Sequence, residues 1–242
     1  FVHRADAGLV ALDFLFCAIY AFKTHGMPKG VKWGAFLGCI ILPCIIAMGA
    51  ITVLHQVREV AVTAHLLLAT SLFGAVYWML ISLQNKAQRP LEMFPPLLVT
   101  FAWIAPIAVF AQIAIGGLVA STFAGSVCLD WPLCNGQWVP TLAGPIGLQV
   151  VHRFTAYGLA AAIIAFGMSI QAQSTQHWVT PQLLRVSRFM LFVVFMQILL
   201  GVLNLKFMIP PYLAVPHQTI ALLLFATTLR LYFLVRRSRT HM

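Results

Sequence analysis

The chain has 242 residues, of which 61% are hydrophobic and only 8% charged, against about 25% charged in an ordinary soluble protein. So few charges cannot cover a soluble domain, so much apolar surface excludes disorder, and five cysteines are too few for a secreted disulfide scaffold. An all-α, polytopic transmembrane protein remains, and the net charge of +10 fits basic loops beside anionic lipid, with no call for nucleic acid.

Seven stretches reach the roughly 20 apolar residues of a membrane helix, at about 1–22, 33–54, 61–83, 97–120, 148–170, 187–207 and 214–235. They are apolar all round, unlike surface helices, and too long for barrel strands. The first opens with His3-Arg4 and carries Asp6 and Asp13. Asp13 lies about 15 Å further along, where a charged carboxylate costs about 2.5–3.5 kcal/mol, so it is expected to be protonated or paired between helices. Cys17, Cys39 and Cys44 fall inside the first two spans and read as small apolar core residues. The second span ends near His55, which has no counterpart elsewhere and reads as structural. The third opens near His65, the fifth with His152-Arg153 and the seventh near His217.

The connections alternate in charge. One set holds Lys23, Lys29 and Lys32, then Lys86 and Arg89, then Arg185 and Arg188, and the tail Arg236, Arg237 and Arg239. The other holds only Arg58 and Lys206, with nothing basic across 121–147. The basic set is expected in the cytoplasm, which places the C-terminus inside and makes the first helix run inward from the outer face. His25, His177 and His241 then fall on the solvated cytoplasmic side. A span preceding Phe1 is expected on this count, because the chain also repeats itself. Gly49 precedes His65 by sixteen residues and Gly201 precedes His217 by the same sixteen; Ala69, Leu72 and Phe73 follow the first as Ala221, Leu224 and Phe225 follow the second. Two tandem, pseudo-symmetric four-helix bundles are predicted, over 1–90 and 91–242, with the first span of the first bundle not present.

His3, His65, His152 and His217 all open inward-running helices near one face. An imidazole inside a span needs a partner, and a hydrogen bond to a neighbouring helix would supply one. Four imidazoles in duplicated positions favour ligation, and a pair facing across a bundle suits the two axial positions of a heme iron; zinc would want more ligands nearby. Arg4 and Arg153 follow two of these histidines directly. With Arg58 and Lys206 they are candidates for propionate contacts, the competing explanation being cations that snorkel to headgroups. Cys128 and Cys134, six apart in a Pro- and Gly-containing loop on the oxidising side, suggest a disulfide or a pair cycling between thiol and disulfide. Trp131, between them, sits at the depth where aromatics concentrate.

Taken together, Gly116-Gly117-Leu118-Val119, the loop Cys128-Leu129-Asp130-Trp131-Pro132-Leu133-Cys134-Asn135-Gly136, His152-Arg153 and Pro216-His217-Gln218 resemble the heme A synthase family. The resemblance covers the whole chain as the last seven of eight spans. It implies an oxidoreductase that converts heme O to heme A by oxidising a ring methyl to a formyl group. It also implies that His152 and His217 ligate a resident heme b in the C-terminal bundle, while His3 and His65 ligate the substrate heme in the N-terminal one. A functional Glu of the family would fall just before Phe1; Gln149 stands at the equivalent place in the second half and cannot act as an acid or base. Heme O, the lipid membrane, heme O synthase and an electron donor are the implied partners, oligomers are compatible, and the expected location is a bacterial cytoplasmic membrane. Two other readings share the histidines. A di-heme b-type electron-transfer subunit would usually stack its hemes at two depths and has no use for the cysteine pair. A heme exporter would not require the Gln149 asymmetry.

Overall fold

The computed structural model describes residues 2–54, 59–84 and 94–236. Seven helices run through them: α1 Val2–Lys23, α2 Lys29–Leu54, α3 Glu59–Gln84, α4 Pro96–Ser121, α5 Gly144–Ala172, α6 Pro181–Lys206 and α7 Pro211–Arg236. All seven are long and apolar enough to cross a membrane; a 26-residue helix such as α2 is about 39 Å long, against a hydrocarbon core of about 30 Å. The chain is a multi-pass membrane protein. Exposed apolar side chains such as Phe16, Ile40, Ile107 and Phe195 face outward, as spans in lipid require.

Each predicted span is present, but several helices begin earlier than their apolar windows. α6 starts at Pro181, six residues before the predicted 187, because Thr180 caps it: its side chain accepts the Leu183 N–H at 3.1 Å, and Pro181 suits the first helical position. Pro96 likewise takes the first position of α4, where no side chain caps the helix. Pro43, Pro106 and Pro216 lie inside helices, which membrane spans tolerate.

The chain divides into two compact units, Phe1–Arg89 and Pro90–Met242. In the first, α2 packs along α3 and against α1. Its core joins Phe14, Ala18, Ala35, Leu42, Leu72 and Met79. Gly30, Gly34 and Gly38 recur every fourth residue on α2 and let the backbones close in: a Cβ on Gly34 would stand 2.8 Å from the Ala75 carbonyl oxygen of α3. Small residues at such crossings are how membrane helices gain contact area. In the second unit α4 meets α5, α5 meets α6, α6 meets α7 and α7 returns to α4. The four form a closed ring in which α5 and α7 occupy opposite corners. Phe101 stacks on Phe166 with centroids 3.7 Å apart, and Met190, Ile163 and Leu231 are fully buried.

Candidate functional site

Three of the four predicted histidines are held in the same way. His65 on α3 lies against Gly49 of α2, His152 on α5 against Gly116 of α4, and His217 on α7 against Gly201 of α6. A Cβ on these glycines would stand 3.3, 3.1 and 3.2 Å from Cε1 of the respective imidazole, with Nδ1 next at 3.7, 3.7 and 3.8 Å. Each ring presents the same edge to a bare stretch of neighbouring backbone. The sixteen-residue spacing seen in both halves is thus a contact: the glycine ends one helix, the histidine begins the next, and the hairpin brings them level.

The surroundings of the rings differ. Gln112, one turn before Gly116, donates its side-chain N–H to His152 Nδ1 at 2.9 Å and to the His152 carbonyl at 2.9 Å. Gln197, one turn before Gly201, donates to His217 Nε2 at 3.3 Å. The residue one turn before Gly49 is Ile45, and His65 Nδ1 is buried without a hydrogen-bond partner. His3 is exposed at the start of α1, as are Arg4, Asp6 and Asp13, and no glycine seat for it is found among the described residues.

His152 on α5 and His217 on α7 stand on opposite corners of the ring. Around them are buried polar atoms without hydrogen-bond partners: Gln149 Oε1, Arg153 Nε and Tyr157 Oη on one face of α5, Gln197 Oε1 and Asn204 Oδ1 on α6, and His217 Nδ1. Such atoms are costly when nothing satisfies them. Two imidazoles on diagonal helices, in an interior lined with unsatisfied polar groups, fit a flat group that takes two axial nitrogens and has a polar edge.

Arg153 has a role that the His-Arg dipeptide did not reveal. It is buried, and its guanidinium gathers the loop above it: Nη1 donates to the carbonyls of Asp130 at 3.0 Å and Leu133 at 2.5 Å, and Nη2 to that of Cys128. Nε has no hydrogen-bond partner and remains open to another acceptor. The loop is also folded on itself. Cys128 and Cys134 are at disulfide distance, with Cα atoms 4.9 Å apart, and pack on Val150 of α5. Cys134 and Gln137 exchange both backbone hydrogen bonds, at 2.8 and 3.1 Å, around Asn135-Gly136. Both turn residues have positive φ, which Asn and Gly adopt most readily. The Asp130 carboxylate accepts the N–H groups of Asn135 and Gly136 at 2.8 and 2.9 Å. Those bonds, the Gly136 one foremost, hold its pKa below the ordinary 3.8. Trp131 is exposed. From the α6–α7 turn Ile209, itself at a positive φ, packs on Gly125: a Cβ there would be 2.6 Å from Ile209 Cδ1. The two connections thereby roof the histidine end of the second unit.

At the opposite ends the predicted basic side chains Lys23, Lys29, Arg185 and Arg188 are exposed, and Arg188 donates to Gln171 Oε1 at 3.0 Å. Lys206 is exposed at the histidine end of the second unit. His55, Arg58, Lys86, Arg89, Arg237, Arg239 and His241 lie outside the described residues.

Residues 1–229 match the COX15-CtaA family, described as cytochrome oxidase assembly proteins. Among curated proteins the chain is similar to the heme A synthases of Rickettsia africae (strain ESF-5) and Rickettsia prowazekii (strain Madrid E), each 24% identical over 259 residues, covering 98% of this chain and 74% of the relative. The heme A synthase of Rickettsia canadensis (strain McKiel) is 24% identical over 262 residues, covering 99% and 75%.

Proposed function

The chain belongs to the COX15-CtaA family of cytochrome oxidase assembly proteins, and from that premise we propose that it is a membrane oxidoreductase that converts heme O to heme A, oxidising a ring methyl to a formyl group. The family match and the relatives' shared name support the reaction. The observation that carries the division of labour is the pair of seated imidazoles, His152 and His217, on diagonal helices of the second unit. In this reading they ligate a resident heme b, which supplies one-electron redox chemistry when bound. The orphaned buried atoms around them would be satisfied by the polar edge of that group. Arg153 roofs this site and offers Nε–H to a propionate.

The first unit takes heme O as substrate through His65 and His3, with Arg4 beside it as the propionate partner. His65 then orients the porphyrin, and the reactive methyl is placed by its contacts with the span's apolar walls. The Cys128–Cys134 pair is read as a disulfide bracing the loop. An electron donor and heme O synthase are the partners in this scheme, and the basic ends of the helices face the cytoplasm of a bacterium. Expression in cells that make heme O, followed by extraction and mass analysis of the hemes, tests the reaction. Heme A or a hydroxylated precursor is the expected product; heme O alone, with the protein present in the membrane, would refute it.

A further inference from the structure

The two connections that roof the second unit meet where Ile209 of the α6–α7 turn packs on Gly125. α6 ends in a paired closure: the Ile209 N–H donates to the Asn204 carbonyl at 2.7 Å and the Met208 N–H to the Leu205 carbonyl at 3.3 Å. Such a closure calls for one left-handed residue, and Met208, at φ 58°, supplies it. Ile209 is also at φ 58°, which the closure does not require. Two features oppose that conformation: Ile is β-branched, and the residue before a proline, here Pro210, is pushed towards extended backbone. A residue kept in so unfavourable a conformation is held there by its surroundings. At this place they are Gly125, buried in the 3-10 turn Ala124–Val127, where a Cβ would stand 2.6 Å from Ile209 Cδ1 and 3.9 Å from its Cγ1. We propose that Ile209 and Gly125 are positioning residues, whose contact joins the two connections and thereby fixes His217 relative to His152. The inference rests on the heme reading above.

Each side of the joint leads to one imidazole. Three residues after Gly125 stands Cys128, whose carbonyl, with those of Asp130 and Leu133, is gripped by Arg153, the neighbour of His152 on α5. On the other side Ile209 leads through Pro210 into α7, which begins at Pro211 and carries His217 less than two turns further on. The Asn204 side chain adds a second tie: it donates to the carbonyl of Leu213, one turn before His217, at 3.3 Å. The start of α7 is therefore bound to the end of α6, and the turn between them is bound to the loop that Arg153 holds. α5 and α7 occupy opposite corners of the ring, and the joint links them across its histidine end. Two axial nitrogens on one iron need a matched separation and direction, and a site is only as precise as the packing that supports it. Glycine at 125 supplies the space for the contact. Isoleucine at 209 supplies the reach, because valine would lack the Cδ1 atom that fills that space.

The test uses the full chain with its hemes. Gly125→Ala puts a Cβ where Ile209 Cδ1 lies, Ile209→Gly removes the contact, and Gly125→Ala combined with Ile209→Val exchanges one methyl carbon for another. Two readings follow the resident heme: its low-spin electron paramagnetic resonance g values, which report how the two imidazole planes are turned, and the rate at which carbon monoxide replaces a ligand in the ferrous protein. Gly125→Ala and Ile209→Gly should each shift the g values and raise the carbon monoxide rate severalfold. The double variant should return both readings towards the wild type. Such a rescue marks a specific joint, since two independent packing defects would add. Met208→Gly removes the other left-handed residue of the same turn, but its side chain is 77% exposed, and it should leave both readings unchanged. If Gly125→Ala loses heme, the double variant is expected to restore it; failure to do so would count against the inference. Wild-type g values and carbon monoxide rate in Gly125→Ala, or equal effects of Met208→Gly and Ile209→Gly, would overturn the inference and leave the bis-histidine reading standing. A wild-type protein with no low-spin b-type spectrum would overturn that reading instead.

Discussion

The two units share one device and use it in different settings. In both, a glycine near the end of one helix receives the imidazole that begins the next. In the second unit that device is doubled, hydrogen-bonded by glutamines, enclosed by a ring of four helices and roofed by two connections. In the first unit α1 and α3 pack on α2, one histidine is seated without a side-chain hydrogen bond, and His3 is exposed. A duplicated sequence has kept the contact that needs no particular chemistry, a bare backbone under a ring, and has varied the polar groups around it. In the proposed scheme the second unit retains its heme and the first exchanges it.

The largest expected effect breaks the comparison at the first unit. His65→Ala should abolish heme A formation while the second unit keeps its low-spin spectrum, measured on the same purified protein. If both are lost, or neither, the units do not divide the work.

Next come the seats. Leucine at Gly116 or Gly201 must push away a ring whose Cε1 already lies 3.1 or 3.2 Å from the added Cβ. Overpacking of this kind costs about 1–3 kcal/mol, so resident heme occupancy should fall by roughly tenfold for each 1.4 kcal/mol, read from the heme-to-protein ratio. The same change at Gly49 should spare that ratio and impair turnover. Arg153→Met leaves three loop carbonyls without their charged donor and is expected to cost about 2–4 kcal/mol. Limited proteolysis between residues 128 and 140 should become faster, with heme retained more weakly. Cys128→Ser should cost about 2 kcal/mol for so short a loop, visible as a lower melting temperature that added reductant does not lower further.

The smallest effect is that of pH on Asp130. Its carboxylate pKa is lowered in the folded loop, so its contribution is present above the ordinary value and is lost only as pH falls through the lower folded one. Protection of the Asn135 and Gly136 amides, taken as their exchange rate relative to that of a free peptide at each pH, should therefore be constant through neutral and mildly acidic pH and fall only in strong acid.

Much of this was legible in the residues, for physical reasons that also explain what was not. Spans are read from the length of apolar runs, which the bilayer dictates. The start of α6 differs because its opening residues, with Gln182 and Arg185, are too polar to belong to the apolar window that begins at 187, and the helix is instead started by the Thr180 cap and Pro181. The Gly49–His65 and Gly201–His217 contacts join adjacent helices of a hairpin, so their equal spacing survives in the sequence. The Gly116–His152 contact crosses the long loop and has no partner spacing to compare with. Gln112 and Gln197 were overlooked as polar residues within apolar spans, yet each stands one turn before a seat glycine. The grip of Arg153 on the loop carbonyls depends on a backbone path that no local pattern records.

The most direct test of the account is the absorption and electron paramagnetic resonance spectrum of the purified chain and of its single alanine variants at His65, His152 and His217. The account predicts a low-spin b-type signal in the wild type, its loss in both His152→Ala and His217→Ala, and its persistence in His65→Ala. A low-spin signal that survives in both second-unit variants would contradict it.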